Sequence, residues 1–541
     1  MARARRSAPT APAPGADHRE MLAGLWEAAV NLRGSIEPAD YKRYVLPLIF
    51  LRFLSLQYER RRADLEKLLD DPATDYHTTD PAARAAVLAD PDEYQSRGAF
   101  IVPAAARWAN VVAAARRDDI KAHLDGVLDL LEETYPAQLR GLLPRIYAGS
   151  NLDPESVRGL IALFARDVFE RDHGGADLIG RVYEYFIGAF ANTEGKRGGE
   201  FFTPESIVRV LVAMLEPTAG RVYDPCCGSG GMFVQSDLFT KHNRELSFFG
   251  QESKDFTWRL CRMNLFIHGL EANNVKLGNT YWNDQHPSLK ADVILANPPF
   301  NDGSKSDAGW GADRIAPDDP RLTVAGQKLP LSARNANTMW MLHFLHHLGP
   351  TGTAGFVMAT GELSNGETAR LAVRRALVDA DLVDCVVQLS GQLFANTQIP
   401  CALWFLSKSR GGKGGFRKRA GEVLFLDGRK LGSLIPGSRT QRELAAEEVE
   451  RLAAAYRAFR RTGPPAEVPG FCRVAATAEV AGHGYALTPG RYVGSAAADA
   501  DGEPFEEAYP RLVAELDAQM REAATLDAAI RAALEGVADG E

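Results

Sequence analysis

Between residues 221 and 406, apolar runs of strand length alternate with helical patterns. A mostly parallel, doubly wound sheet is the layered arrangement that buries such an alternation. The runs fall at 221–224, 246–251, 275–277, 291–296, 354–359, 382–388 and 400–406. The last follows its predecessor after a short, helix-poor connection, which predicts an antiparallel strand near the edge of the sheet.

The rest of the chain frames this α/β unit. A length of 541 residues is too great for one core and predicts two to four domains. Residues 1–17 are rich in Pro and Ala and lack the apolar stretch of a signal sequence, so they read as a disordered tail. Residues 18–152 read as a helical domain. Leu22, Leu25, Trp26, Ala29 and Leu32 recur at helical spacing, as do Leu46, Ile49, Phe50, Phe53 and Leu54. The α/β domain is expected over 153–435 and a helical, partner-docking region over 436–541. Gly463-Pro464-Pro465 marks a linker in the latter. From Tyr509 to Val537, Leu512, Leu516, Ala523, Leu526, Ile530 and Ala533 keep near-heptad spacing, a stripe that needs a partner surface. The most apolar stretch, Tyr44 to Leu56, is too short to cross a bilayer and holds Pro47 and Arg52.

A net charge of −8 excludes a chain that grips nucleic acid by its overall charge; basic surface must be local, or a partner must supply it. One local candidate is 407–421, where Lys408, Arg410, Lys413, Arg417, Lys418 and Arg419 stand among glycines with no acid; it predicts a flexible basic hairpin tip. Six cysteines without CxxC spacing give no disulfide framework and no metal site, and fit a reduced, cytoplasmic setting.

Two motifs carry chemistry. The strand at 221–224 runs into Asp224-Pro225-Cys226-Cys227-Gly228-Ser229-Gly230-Gly231 and then a helix. This puts backbone N–H groups and a helix N-terminus at the carboxyl edge of the sheet. No lysine follows the glycines, so a di- or triphosphate is a poor fit. The next strand ends at Glu252, where a carboxylate can accept both hydroxyls of a ribose. S-adenosylmethionine, with its ribose, adenine and amino-acid tail, fits this half.

The second motif, Asn297-Pro298-Pro299-Phe300, ends the run at 291–296. An adenine N6 amine is a poor nucleophile because its lone pair is delocalised into the ring. The Asn297 side-chain oxygen and the Pro298 carbonyl can accept both N6 protons and localise that pair. The two prolines stiffen the turn and remove competing donors. Phe300 offers a face for a base swung out of its duplex. The Gly/Asp/Ser-rich stretch from Asn301 to Asn335 reads as a mobile segment that orders on DNA, with Trp310 as a wedge.

These residues resemble the modification (M) subunit of type I restriction–modification systems, which are N6-adenine DNA methyltransferases. The resemblance covers most of the chain. It includes Tyr41-Lys42-Arg43-Tyr44-Val45-Leu46-Pro47, Leu51-Arg52-Phe53-Leu54, Gly199-Glu200-Phe201-Phe202-Thr203-Pro204 and both motifs above. It extends to Met263-Asn264-Leu265, His268-Gly269 and Ile399-Pro400. It implies a Rossmann-like methyltransferase domain, with catalysis at Asn297, Pro298, Pro299 and Phe300. It implies that Glu200, Phe201, Phe202, Thr203 and Pro204 line the methionine end of S-adenosylmethionine. It further implies cofactor contacts from Asp224, Gly228, Ser229, Gly230, Gly231, Glu252 and Asn279. Asn279 stands where the family usually has an aspartate, and Cys226 and Cys227 replace small alanines. The implied partners are double-stranded DNA, a specificity (S) subunit, a restriction (R) subunit and a second M copy. Two other readings stand beside it: an amino-methyltransferase of RNA or protein, and an inactive assembly or DNA-binding subunit.

Overall fold

The computed structural model describes residues 16–34, 36–166, 175–193, 203–242, 245–303, 309–394, 398–412, 415–435, 438–494 and 505–538. Of the tail expected at 1–17, residues 1–15 lie outside them, and Ala16 and Asp17 already belong to the helix Ala16–Asn31.

The amino-terminal helices build a core of their own. Pro38–Asp70 opens on a proline at its first turn, where the missing N–H costs nothing, and spans 33 residues despite Pro47. Its Leu46, Ile49, Phe50, Phe53 and Leu54 are buried, as the periodicity predicts. Trp26 of Ala16–Asn31 sets its ring edge-on to Phe186 and Phe190 at 5.3 and 4.7 Å. Helices Pro154–Phe164 and Gly175–Thr193 turn their apolar stripes to this core, not to the sheet. The boundary expected at 152/153 therefore falls inside the helical unit. Phe266, from the helix Asp255–Ile267, stacks on Phe100 at 5.2 Å and joins the helical unit to the sheet.

The main sheet has nine strands: β1 Gly220–Asp224, β2 Leu246–Glu252, β3 Val275–Leu277, β4 Ala291–Ala296, β5 Leu348–Ala359, β6 Val383–Leu389, β7 Cys401–Ser407, β8 Glu422–Gly428 and β9 Cys472–Ala476. Their order is β9-β8-β6-β7-β5-β4-β1-β2-β3. All neighbours are parallel except around β7 and at β9. The expected antiparallel strand is β7, but it lies in the interior between β5 and β6, not near the edge. All seven of its residues are buried, as a strand covered on both faces must be. The antiparallel edge strand is β9, which with the packed helix Ala446–Arg461 carries the sheet unit beyond the boundary expected at 435.

The stretch 407–421 is no flexible hairpin tip, since β7 and β8 are separated by β6. Two of its cations face inward, while Lys408 and Lys418 stay exposed. Arg419 and Arg410 are buried, and Arg419 makes a bidentate pair with buried Asp384 at 2.7 and 2.9 Å. Arg417 pairs with Glu422, and Lys408 donates to the Leu348 carbonyl. Lys413 lies outside the described residues. The carboxyl-terminal helix Phe505–Ala538 leaves Leu512, Leu516, Met520, Leu526 and Ile530 between 53% and 63% exposed. Among the described residues, no helix is long and apolar enough to cross a membrane.

Candidate active site at the carboxyl edge of the sheet

β1 is flanked by β2 and β4, so their carboxyl ends open onto one crevice. From β1 the chain turns at Gly228 and Gly230, both at positive φ (53° and 84°), into the helix Gly231–Phe239. A side chain at Gly230 would meet the Cys261 sulfur at 3.0 Å, whereas the space beside Gly228 is open. The Gly228 N–H donates to Glu252 Oε2 at 3.2 Å, and Lys254 N–H donates to Oε1 at 2.9 Å. The carboxylate at the end of β2 is thus held against the glycine turn. Asn264 Nδ2 donates to the Ser229 carbonyl at 2.9 Å and ties the turn down from behind. Its signal in the sequence is an amide on the buried stripe of an otherwise apolar helix face.

Asp224 is buried and accepts from the Cys226 N–H at 3.0 Å. Burial pushes its carboxyl up to about 7, against the Cys226 hydrogen bonds and with help from the Glu252 charge. Burial likewise raises the Cys226 thiol well above its ordinary value, while the backbone N–H of Asn297 hydrogen-bonds to it. Asn279 follows β3, where its side-chain oxygen accepts from Tyr281 N–H at 2.9 Å. One lone pair of the oxygen expected to meet the cofactor is therefore spent on the local turn.

Asn297 leaves β4 beside the glycine turn, because β4 pairs with β1 through Val222–Val293 and Tyr223–Ile294. Its Nδ2 donates to Thr203 Oγ1 at 2.8 Å. Its Oδ1 is buried without a hydrogen-bond partner among the described residues. The donor side of the amide is pinned, and the acceptor side is left for something else. Pro298 is buried, Pro299 and Phe300 are half-buried, and Phe300 stands edge-on to Phe394 at 6.3 Å. Thr203, Asp224, Gly228, Ser229, Gly230, Gly231, Glu252 and Asn297 thus share one edge of the sheet. Pro204 begins the helix Glu205–Leu215 next to Thr203. Glu200, Phe201 and Phe202 lie outside the described residues. Thr203, expected on the cofactor, also orients the Asn297 amide.

Trp310 is no exposed wedge. It is buried, donates to the Ser332 carbonyl at 2.8 Å and packs on Tyr281 at 5.0 Å. Its contacts pin much of the stretch expected to be mobile, of which 304–308 lies outside the described residues.

Behind β1, Asp284, His343 and His347 gather with Tyr223. His347 Nε2 meets Asp284 Oδ2 at 2.9 Å and its Nδ1 meets the Leu289 carbonyl at 3.0 Å. His343 Nε2 meets Tyr223 Oη at 3.1 Å, and Arg321 Nη1 faces its Nδ1 at 3.3 Å. A guanidinium can donate only to an unprotonated Nδ1, so the proton of neutral His343 sits on Nε2. Metal ligation through Nε2 would drive that proton against Arg321. The cluster suits a hydrogen-bonded pillar under β1 better than a cation site.

The N-6 DNA methylase family profile matches residues 174–501, and that of the HsdM N-terminal domain matches 22–164. The chain is 40% identical to the type I restriction enzyme MjaIX methylase subunit of Methanocaldococcus jannaschii, over 89% of this chain and 85% of that one. It is 37% identical to the HindI methylase subunit of Haemophilus influenzae, over 81% of this chain and 99% of the relative. The solved methyltransferase subunit of a type I restriction–modification system from Streptococcus thermophilus shares the fold. Its TM-score is 0.71 at 24% identity, over 88% of this chain and all of that one. The chain belongs to the methylase subunits of type I restriction enzymes and is an adenine-specific DNA methyltransferase.

Proposed function

We propose that the Asn297 side-chain oxygen and the Pro298 carbonyl accept the two N6 protons of an adenine extruded from double-stranded DNA. The observation that carries this reading is the buried, unpartnered Oδ1, whose orientation follows from the Nδ2 bond to Thr203. Two fixed acceptors draw the nitrogen toward tetrahedral geometry without a tuned general base, and the proton leaves after transfer. Phe300 gives the extruded base an apolar face, braced from the side by Phe394.

The crevice chemistry fits S-adenosylmethionine, which supplies an electrophilic methyl group when bound. Glu252 would accept its ribose hydroxyls, and the turn Gly228-Ser229-Gly230-Gly231 would lie along it. Asp224, Thr203, Pro204 and Asn279 would complete the contacts, with Glu200, Phe201 and Phe202 at the methionine end. The carboxylate pair Asp224 and Glu252 suits a ligand carrying positive charge.

The assembly we infer is a cytoplasmic one: two copies of this chain, a specificity subunit that chooses the DNA sequence, and restriction subunits. The exposed apolar stripe on Phe505–Ala538 supports that helix as the docking arm. The test is transfer of tritiated methyl to unmodified host DNA by this chain together with its specificity partner. Asn297→Ala is expected to abolish transfer and leave assembly, read by sedimentation, intact. Transfer by Asn297→Ala within about twofold of the parent would overturn the assignment of the turn; equal transfer to RNA or protein would overturn the substrate.

A further inference from the structure

The catalytic turn is anchored at its entrance by β4, but two prolines aim a carbonyl only if the exit is fixed as well. The exit is Asn301, a non-glycine residue at φ 57°. Left-handed backbone of this kind persists only where its surroundings hold it. Asn337 does so at two points. Its Oδ1 accepts from the Asn301 N–H at 2.8 Å, and its Nδ2 donates to Asn301 Oδ1 at 3.0 Å. The other Nδ2 hydrogen goes to Glu362 Oε1 at 2.8 Å. Glu362 is itself held by Arg370, and Asn335 Nδ2 adds a second donor to Asn301 Oδ1 at 3.0 Å. Asn337 and Glu362 are 0% and 1% exposed. With both amide hydrogens and the oxygen engaged, Asn337 has no alternative orientation.

The same residue opens the helix Asn337–His347, whose His343 reaches Tyr223 of β1, the neighbour of Asp224. One rigid helix therefore touches the exit of the Asn-Pro-Pro-Phe turn and the end of the strand that leads into the glycine turn. We propose that Asn337 is a positioning residue: through Asn301 it sets the register of the catalytic turn against the cofactor crevice. This rests on the acceptor role proposed for Asn297.

The experiment compares Asn337→Ala, Asn337→Asp and the pair Asn337→Asp/Glu362→Gln in the complex with the specificity subunit. Single-turnover methyl transfer, KM for DNA, Kd for S-adenosylmethionine and thermal unfolding are read together. In Asn337→Asp the acceptor for the Asn301 N–H survives, but the new carboxylate faces Glu362. In the pair, the Gln amide supplies a donor to that carboxylate and removes the repulsion.

Single-turnover transfer is expected to fall about tenfold or more in both single variants, with KM and Kd held within about twofold. The pair is expected to recover much of the loss. A rate within twofold in Asn337→Ala overturns the proposal. So does a parallel loss of rate, affinity and unfolding temperature that the pair does not relieve. If Asn297→Ala keeps full activity, the reading of the turn fails along with this one. If Asn297→Ala is dead while Asn337→Ala is fully active, only the present proposal fails.

Discussion

Thr203→Val is the sharpest perturbation of the site, because it deletes one acceptor and leaves the side-chain volume nearly unchanged. In the parent, Asn297 Nδ2 donates to Thr203 Oγ1 at 2.8 Å, which turns Oδ1 away from Thr203. Without that hydroxyl the amide donor is stranded, at about 1–3 kcal/mol for an unpaired buried group. The amide can relieve this by rotating, which presents N–H instead of oxygen to an incoming amine. Donor would then face donor, so the cost falls on the transition state. At about 1.4 kcal/mol per tenfold, transfer should slow by roughly 5- to 150-fold. Thr203→Ser keeps the acceptor and should stay within about threefold of the parent. Single-turnover transfer measures the rate, and equilibrium binding of S-adenosylmethionine separates the amide's orientation from a lost cofactor contact. A Thr203→Val rate near the parent's, or a loss that saturating cofactor restores, refutes the reasoning.

Asp224 is raised from 3.8 to about 7 in the folded protein, so the native state holds the extra proton between those values. Its burial therefore costs stability progressively as pH rises from about 4 to 7, on the order of 4 kcal/mol above 7. Asp224→Asn should melt higher than the parent at pH 8, match it near pH 4 and bind S-adenosylmethionine more weakly; a pH-independent difference in thermal unfolding would contradict this. The buried Asp384–Arg419 pair should be expensive to break from either side. Asp384→Asn leaves Arg419 and Arg410 short of their counter-charge and should cost about 3–5 kcal/mol in denaturant unfolding, whereas breaking the solvent-screened rim pair Arg375–Asp379 should leave the unfolding curve nearly unchanged. On the acid side, burial holds His343 well below 6.5 and lowers His346 to about 4. The unfolded chain takes up these protons first, so stability should be lost as pH falls from about 6.5 toward 4. For the buried His343 ring the slope should reach up to about 1.4 kcal/mol per unit, with a smaller, solvent-screened share from His346, and His343→Gln should flatten it.

What could be read in advance follows from what each feature depends on. β7, covered on both faces, carries an unbroken apolar run from Cys401 to Leu406, whereas β1 to β6 are legible as shorter or interrupted apolar runs alternating with helical patterns. β8 is a four-residue run bracketed by Glu422 and Asp427, and β9 carries Arg473 at its second position, so neither stands out from a loop. The glycine turn and the Asn-Pro-Pro-Phe turn are legible because the chemistry proposed for them uses adjacent residues and backbone. The contact that orients Asn297 spans 94 positions, and only the placement of Thr203 against the end of β4 creates it. Trp310 misleads for a related reason. A Gly-rich stretch suggests mobility, but an indole that finds the Ser332 carbonyl and the Tyr281 ring pins it.

The basic stretch carries the same lesson into function. Arg410 and Arg419 count toward the cations of the sequence, yet both are spent inside the fold on Asp384 and Asp381. Phosphate contacts need cations that can reach solvent, because their affinity comes from displacing counterions around the duplex. At this end of the sheet the usable positive charge is smaller than the sequence suggests, on a chain whose net charge is already −8. Electrostatics alone therefore gives a methylase subunit of this kind a reason to share its duplex with a partner. On the proposed mechanism it also places the burden of chemical precision on neutral acceptors, such as the Asn297 amide, which work only after the base has been delivered.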